Sequence, residues 1–162
     1  MQRSDVAAVL ALNADVVELT SPMDEARFDA LFEAASLRLV AEHDGEVLGF
    51  LLALADDRSY ENANFAWFSA RLRSFLYVDR VVVSARSRGL GIGQLLYGAL
   101  FDSAARSGLL NVCAEIDLDP PNEGSLRFHE RSGFVRIGTR TMDGGKVLSM
   151  QLAPVIDTRD MA

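Results

Sequence analysis

The stretch from Phe75 to Ser107 constrains this chain more than any other. Phe75 to Val83 is a continuous apolar run that reads as a central strand. Ser84-Ala85-Arg86-Ser87-Arg88 follows, and glycines then stand at 89, 91 and 93. From Gly89 to Ser107 the spacing predicts a helix, with Ile92, Leu95, Leu96, Ala99, Leu100 and Ala104 as its buried stripe and Gly108 as its end. Leu110 to Asp117 reads as the next strand. Strand, helix, strand in this order implies a parallel pair joined by a right-handed crossover. Glycines at the helix start let the backbone approach a ligand closely, and the first-turn N–H groups have no partner inside the helix. The combination predicts an anion site, with a pyrophosphate as the expected ligand.

Two other phosphate-binding patterns compete. A P-loop places a lysine on the phosphates, but the one lysine of this chain, Lys146, is far from these glycines. A dinucleotide fingerprint needs G-x-G-x-x-G in a tight turn and an acid on the following strand. Glu115 and Asp117 are placed to supply that acid. The spacing here is G-x-G-x-G, however, and five residues separate strand from glycines. A helix entry with no ligand is the plain alternative. It leaves the backbone entropy of three glycines without a reason.

The pattern resembles motif A of the GNAT acetyltransferases, whose signature is [QR]-x-x-G-x-[GA]. It occurs twice, as Arg86-x-x-Gly89-x-Gly91 and as Arg88-x-x-Gly91-x-Gly93. The second register is preferred, because it also sets Arg88-Gly89 and Ile92-Gly93 where the family has Arg-Gly and Ile-Gly. Downstream, Asn122, His129 and Gly133-Phe134 repeat the family's N-x6-Y-x3-G-F spacing with histidine in place of tyrosine. The resemblance is firm over about 75–135 and extends from the first helix to Leu152. It implies an α/β fold: a mixed, mostly antiparallel twisted sheet with flanking helices and a central parallel strand pair. It also implies a strand before the first helix. Almost nothing precedes Ser4, so that strand is either lost or upstream of the start given.

Length and composition agree with one domain, expected over 1–153, and a mobile tail over 154–162. Apolar residues make up 49% and charged residues 24%, as in soluble globules. No run approaches a membrane span, and the N-terminus lacks a signal-peptide core. The single cysteine, Cys113, has no partner for an internal disulfide and suits a reducing cytoplasm. A net charge of −7 argues against nucleic acid or an anionic membrane as partner. It also makes two arginines beside the glycines more informative. No His, Cys or acid cluster has metal-ligand spacing.

Along the chain, Ser4 is expected to cap a helix with Val6, Ala7, Val9, Leu10 and Leu12 on its apolar face. Pro22 suits the start of a second helix, with Asp24 and Glu25 at its positive end and Phe28, Leu31, Phe32 and Ala35 along one side. Leu37–Glu42 and Val47–Leu54 read as hairpin strands about Asp44-Gly45. Residues 56–73 mix acids, amides and aromatics around a short helix near 62–71. They form either an aromatic insertion on the sheet or an acceptor-site wall. After Asp119-Pro120-Pro121, a helix over about 123–132 turns Leu126 and Phe128 or His129 inward. Gly133 ends it, Phe134 opens a strand, and Met142–Lys146 is a hairpin turn before the last strand.

The resemblance implies acetyl transfer from acetyl-CoA, as cosubstrate, to a primary amine. Arg86, Arg88, Gly89, Gly91 and Gly93 would grip the pyrophosphate. Backbone groups of Val81, Val82 and Val83 would hold the pantetheine and polarise the carbonyl, and Asn122 is placed beside the cofactor. Asp79, four residues before Val83, is the first choice for the base, acting through a water, with Glu115 second. An equal alternative for Asp79 is a surface aspartate paired with Arg80 or Arg73. His129 is the expected acid at the family's tyrosine position. It could instead be the base or a filler, and Tyr77 and Tyr97 are substitute acids. Asp56, Asp57, Glu61, Asp117 and Asp119 favour a cationic acceptor, either a small molecule or a peptide. A homodimer is compatible with all of this. The missing tyrosine keeps open a non-catalytic acyl-CoA-binding module, and the glycines leave a dinucleotide oxidoreductase as a distant third.

Overall fold

The computed structural model describes residues 1–156. Six strands form one sheet in the order β1-β2-β3-β4-β6-β5, mostly antiparallel with β3 and β4 as the parallel pair. They are β1 Leu37–His43, β2 Glu46–Ala55, β3 Phe75–Val83, β4 Asn111–Asp119, β5 Val135–Thr141 and β6 Val147–Pro154. The helices are α1 Val6–Ala14, α2 Glu25–Ala34, α3 Ala63–Ser69, α4 Ile92–Arg106 and α5 Glu123–Arg131. Contacts gather into two compact units, Met1–Tyr60 with Val78–Leu100, and Glu61–Tyr77 with Phe101–Ala162.

In the first unit, α1 and α2 bury Val9, Leu12, Phe28, Leu31 and Ala35 with Phe50, Leu52 and Val82. Ser4 does not cap α1. A 3-10 turn, Arg3–Asp5, precedes the helix, and the Gln2 backbone N–H donates to the Asp5 carboxylate (2.6 Å). Nor does Pro22 start α2: Asp24 is its cap, accepting from the Arg27 N–H at 2.8 Å. Asp24 wins because its carboxylate satisfies an N–H that the helix leaves unpaired. The β1–β2 turn is built as Asp-Gly demands, with φ of 50° at Asp44 and 79° at Gly45.

Two expectations for α4 are corrected. It begins at Ile92 rather than Gly89, because Gly89 and Gly91 both sit at φ 80°, outside the helical region. Leu95 is 64% exposed, while Leu96, Tyr97, Leu100 and Ala104 are buried. At 100° per residue the buried stripe centres on Leu96 and Leu100, which turns Leu95 to the outside.

In the second unit, Asn62 caps α3 through the Asn64 and Phe65 N–H groups (2.8 and 3.0 Å). Phe65 lies 5.8 and 5.6 Å, centroid to centroid, from Phe75 and Tyr77, and Phe68 lies 5.9 Å from Tyr77. Residues 56–73 thus contribute aromatic core, as the insertion reading expects. The parallel register pairs Phe75, Leu76 and Tyr77 with Asn111, Val112 and Cys113. On α5 it is His129 that is buried, while Leu126 and Phe128 are half-buried. The expected tail begins too early: Pro154 belongs to β6, and the Val155 N–H donates to the Leu110 carbonyl at 2.8 Å. Residues 157–162 of that expected tail lie outside the described residues. Among the described residues, no helix is long and apolar enough to cross a membrane.

Candidate active site

The expected anion site rests on what its backbone leaves undone. A 3-10 turn, Ala85–Ser87, follows β3 and buries Ser87, and the chain then passes through Arg88, Gly89 and Leu90 at the surface. A Cβ placed on Gly89 or Gly91 meets nothing within 4 Å among the described residues. Their glycine character therefore serves conformation and open space, not tight packing. The first bond of α4 runs from the Leu95 N–H to the Gly91 carbonyl (2.9 Å). The N–H groups of Ile92, Gly93 and Gln94 thus lie ahead of the helical ladder, at its positive end. Arg88 is exposed and makes no ion pair or hydrogen bond among the described residues. Arg86 instead meets Glu46 at 3.1 Å, with both side chains exposed. Donors, an unspent arginine and an open backbone fit a diphosphate.

Val82 is buried, while Val81 and Val83 are half-buried. One residue that holds them is absent from the sequence-based expectations. Gly49, in β2, would put a Cβ 2.8 Å from the Val82 carbonyl oxygen and 3.2 Å from Ile92 Cγ2. It lets β2 run tightly against the strand that feeds the glycine loop. A glycine inside an apolar strand pattern is the signal that points to such a contact.

Asp79 is not the surface residue that one reading expected. Its side chain is 3% exposed, and it pairs with Arg80, whose Nε lies 3.6 Å from Oδ2. Arg73 is elsewhere, donating to the Ser69 and Leu72 carbonyls. The Tyr60 hydroxyl donates to Asp79 Oδ1, and Arg27 Nη2 donates to the Tyr60 oxygen with its guanidinium 5.4 Å from the ring centroid. Arg80 is itself buried and clamped. Its Nη1 donates to Asn13 Oδ1 (2.7 Å) and the Ser21 carbonyl (2.8 Å), and its Nη2 to Ser21 Oγ (3.0 Å). Among the described residues, Asp79 Oδ2 and Arg80 Nε are buried without hydrogen-bond partners. Tyr60, Arg27 and Asn13 carry no local motif, so only folding reveals this cluster.

In the second unit the expected site residues are occupied by the fold. Glu115 Oε1 accepts from the Tyr77 hydroxyl (3.0 Å) and from Asn64 Nδ2 (2.9 Å), and Asn64 Oδ1 accepts from Arg140 (2.6 Å). Tyr77 is fully buried, and Tyr97, which belongs to the first unit, is nearly so. The Asn122 side-chain oxygen caps α5, accepting from the Ser125 N–H (3.1 Å). His129 is 3% exposed, with Phe128 and Phe134 edge-on at 5.5 and 5.0 Å. Its Nδ1 is 2.8 Å from the Ser125 carbonyl oxygen. A carbonyl only accepts, so Nδ1 carries the proton, and in the neutral ring Nε2 is an acceptor. Burial pushes the imidazole below its ordinary value, against the opposing pull of the Ser125 bond. Asp117 meets Lys146 at 2.7 Å. No group of three or more His, Cys, Asp or Glu able to hold a metal occurs among the described residues.

Comparison with known proteins gives the same family as the glycine motif. A model described as the acetyltransferase (GNAT) family matches residues 6–134. Phosphinothricin N-acetyltransferase of Streptomyces viridochromogenes is 33% identical over 108 residues, which cover 67% of this chain and 52% of that protein. The enzyme of the same name from Streptomyces coelicolor is 44% identical over 66 residues, covering 41% and 37%. The chain therefore spans about half or less of the length of the curated relatives it matches. The fold is shared with an aminoglycoside 6'-N-acetyltransferase solved with coenzyme A (TM-score 0.71, 14% identity, 96% of this chain and 93% of that one). On the family match, which runs through the glycine loop and α5, this chain belongs to the acetyltransferase (GNAT) family.

Proposed function

We propose that the chain, as one domain over 1–153, transfers the acetyl group of acetyl-CoA directly to a primary amine. The observation that carries this reading is the loop at Gly89 and Gly91, at φ 80° with open space beside both residues, before the unspent amides of α4. When bound, acetyl-CoA supplies an activated acetyl group. The amides of Ile92, Gly93 and Gln94, with Arg88, hold its pyrophosphate. Backbone groups of Val81 to Val83 hold the pantetheine, and Arg86 adds a weaker, Glu46-shared charge. Asp79 receives the proton that the ammonium form of the acceptor must lose, through a water.

His129 supports a different role from the acid that its register suggests. With Nδ1–H tied to Ser125 and burial favouring the neutral ring, Nε2 carries no proton to donate near neutral pH. The departing thiolate then takes its proton from water. Glu115 and Asn122 act as structural members, and Tyr77 donates to Glu115. The state of His129 is also what favours a second reading, an acyl-CoA-binding module without turnover.

The amine is proposed to be small or a peptide terminus, and phosphinothricin, named in the two relatives, is the first to try. A strongly cationic acceptor draws less support, since Asp117 is paired with Lys146 and Asp57 lies 3.8 Å from Arg58. The test is thiol release from acetyl-CoA across phosphinothricin and an amine library, with thermal melting in parallel. Acetyl-CoA should raise the melting temperature by binding the folded state, and NAD should not. Stabilisation by acetyl-CoA with no amine consumed selects the binding module. Stabilisation by NAD alone overturns the proposal.

A further inference from the structure

A buried carboxylate oxygen without a hydrogen-bond donor is costly, and native structures keep few. Asp79 Oδ2 is one, among the described residues, and Arg80 Nε is another orphan 3.6 Å away. One needs a donor and the other an acceptor. A single water-sized molecule satisfies both, donating to Oδ2 and accepting from Nε–H. The rest of the cluster fixes this geometry. Arg80 is held at three points by Asn13 and Ser21. Oδ1 is taken by the Tyr60 hydroxyl, and Tyr60 is held in turn by Arg27. The Tyr60 ring packs on the core of the first unit, so its oxygen is set by a rigid wall.

We infer that Tyr60 is a positioning residue for Asp79: it occupies Oδ1, with Arg27 behind it, and so makes Oδ2 the oxygen that receives the acceptor's proton. This rests on the reading of Asp79 as base. In the step itself, the ammonium N–H bond breaks and its proton passes through the bridging water to Oδ2, leaving a neutral amine and a protonated Asp79. The amine lone pair then forms the N–C bond as the C–S bond of the thioester breaks, and the sulfur keeps that electron pair. The second N–H proton of the now cationic nitrogen leaves to solvent water, and the thiolate takes a proton from water.

The test is a double-mutant cycle in the intact chain, using the amine that gives the fastest thiol release. Tyr60→Phe should lower kcat about tenfold, the scale of a misplaced catalytic group. Its KM for acetyl-CoA should stay near wild type, and its melting temperature should fall only modestly, since the ring remains but Oδ1 loses its donor, so kcat is read well below that temperature. Asp79→Asn should lower kcat by roughly 10²–10⁴-fold. Adding Tyr60→Phe to Asp79→Asn should cost nothing more, because there is no base left to position. Independent, multiplying losses overturn the positioning role while leaving Asp79 as base. Wild-type turnover in Asp79→Asn overturns the base reading itself. A Tyr60→Phe protein with unchanged kcat, or with a lower melting temperature accounting for its whole loss, overturns the inference alone.

Discussion

The glycine loop and α5 carry the two motifs that mark the family, and they spend their polar groups in opposite ways. At 88–94 the backbone is held in a conformation that costs entropy, yet its arginine and first-turn amides are left without partners among the described residues. At 122–134 the motif residues are used up. Asn122 caps the helix, His129 donates to Ser125, and Gly133, at φ 85°, lets the chain leave the helix, the Phe134 N–H meeting the His129 carbonyl at 3.0 Å. A sequence motif records that residues are required without recording why. Under the proposed function, one is required by a ligand, and the other by the chain itself.

The most severe way to break that contrast is Gly91→Asp. The new side chain enters the open space beside the loop, its backbone must hold φ 80°, and its carboxylate enters the proposed phosphate site. Coenzyme A affinity should fall at least 100-fold, by an estimate on the order of 3 kcal/mol combining strain and repulsion. Isothermal titration of the folded variant reads it. Undiminished affinity puts the ligand elsewhere and removes the reason for the unspent amides. Next in size is Gly49→Ala. Its Cβ would sit 2.8 Å from the Val82 carbonyl, a backbone atom with little freedom. Overpacking of this kind costs about 1–3 kcal/mol, read by urea unfolding, and coenzyme A binding should weaken with it because Ile92 is pushed too.

Asn122→Ala sharpens the other side. Losing a cap costs about 1 kcal/mol of stability, and coenzyme A affinity should not change. A variant that keeps its stability but binds coenzyme A more weakly would move Asn122 from folding to binding and erase the contrast.

The sequence was most readable where pattern and chemistry are local. β3 runs over Phe75–Val83 as its unbroken apolar run predicts, and the Asp44-Gly45 turn follows from the only conformations that a two-residue hairpin accepts. Errors arose where a local rule had a competitor. Ser4 lost its cap to the 3-10 turn. The α4 start moved three residues because the glycines that look like helix entry are in left-handed conformations. Leu95 was expected inside, because a helical stripe in sequence leaves its centre undetermined. The site divides in the same way. The glycines announce themselves, but nothing near Asp79 in sequence names Tyr60, 19 residues away, or Asn13, which meets Arg80 across 67 residues. Such partners are chosen by the fold.

The smallest effect separates the two regions by pH. Burial lowers the His129 pKa in the folded protein below the ordinary 6.5. The unfolded chain then binds more protons than the folded one between that lowered value and about 6.5. Stability tied to His129 is therefore present above about pH 6.5, and it is lost as pH falls towards the folded value. In urea unfolding from pH 8 to 5, wild type should show a slope across this window that His129→Gln lacks. The glutamine variant should also be less stable at pH 8, where the neutral imidazole and its bond to Ser125 are intact. Coenzyme A affinity should have the same pH profile in wild type and in His129→Gln, whatever the ligand's own phosphates contribute over this range. If the slope persists in His129→Gln, another group carries it, and His129 is not held neutral by the fold. If the two binding profiles differ, α5 is coupled to the anion site, and its motif serves the ligand as well as the chain.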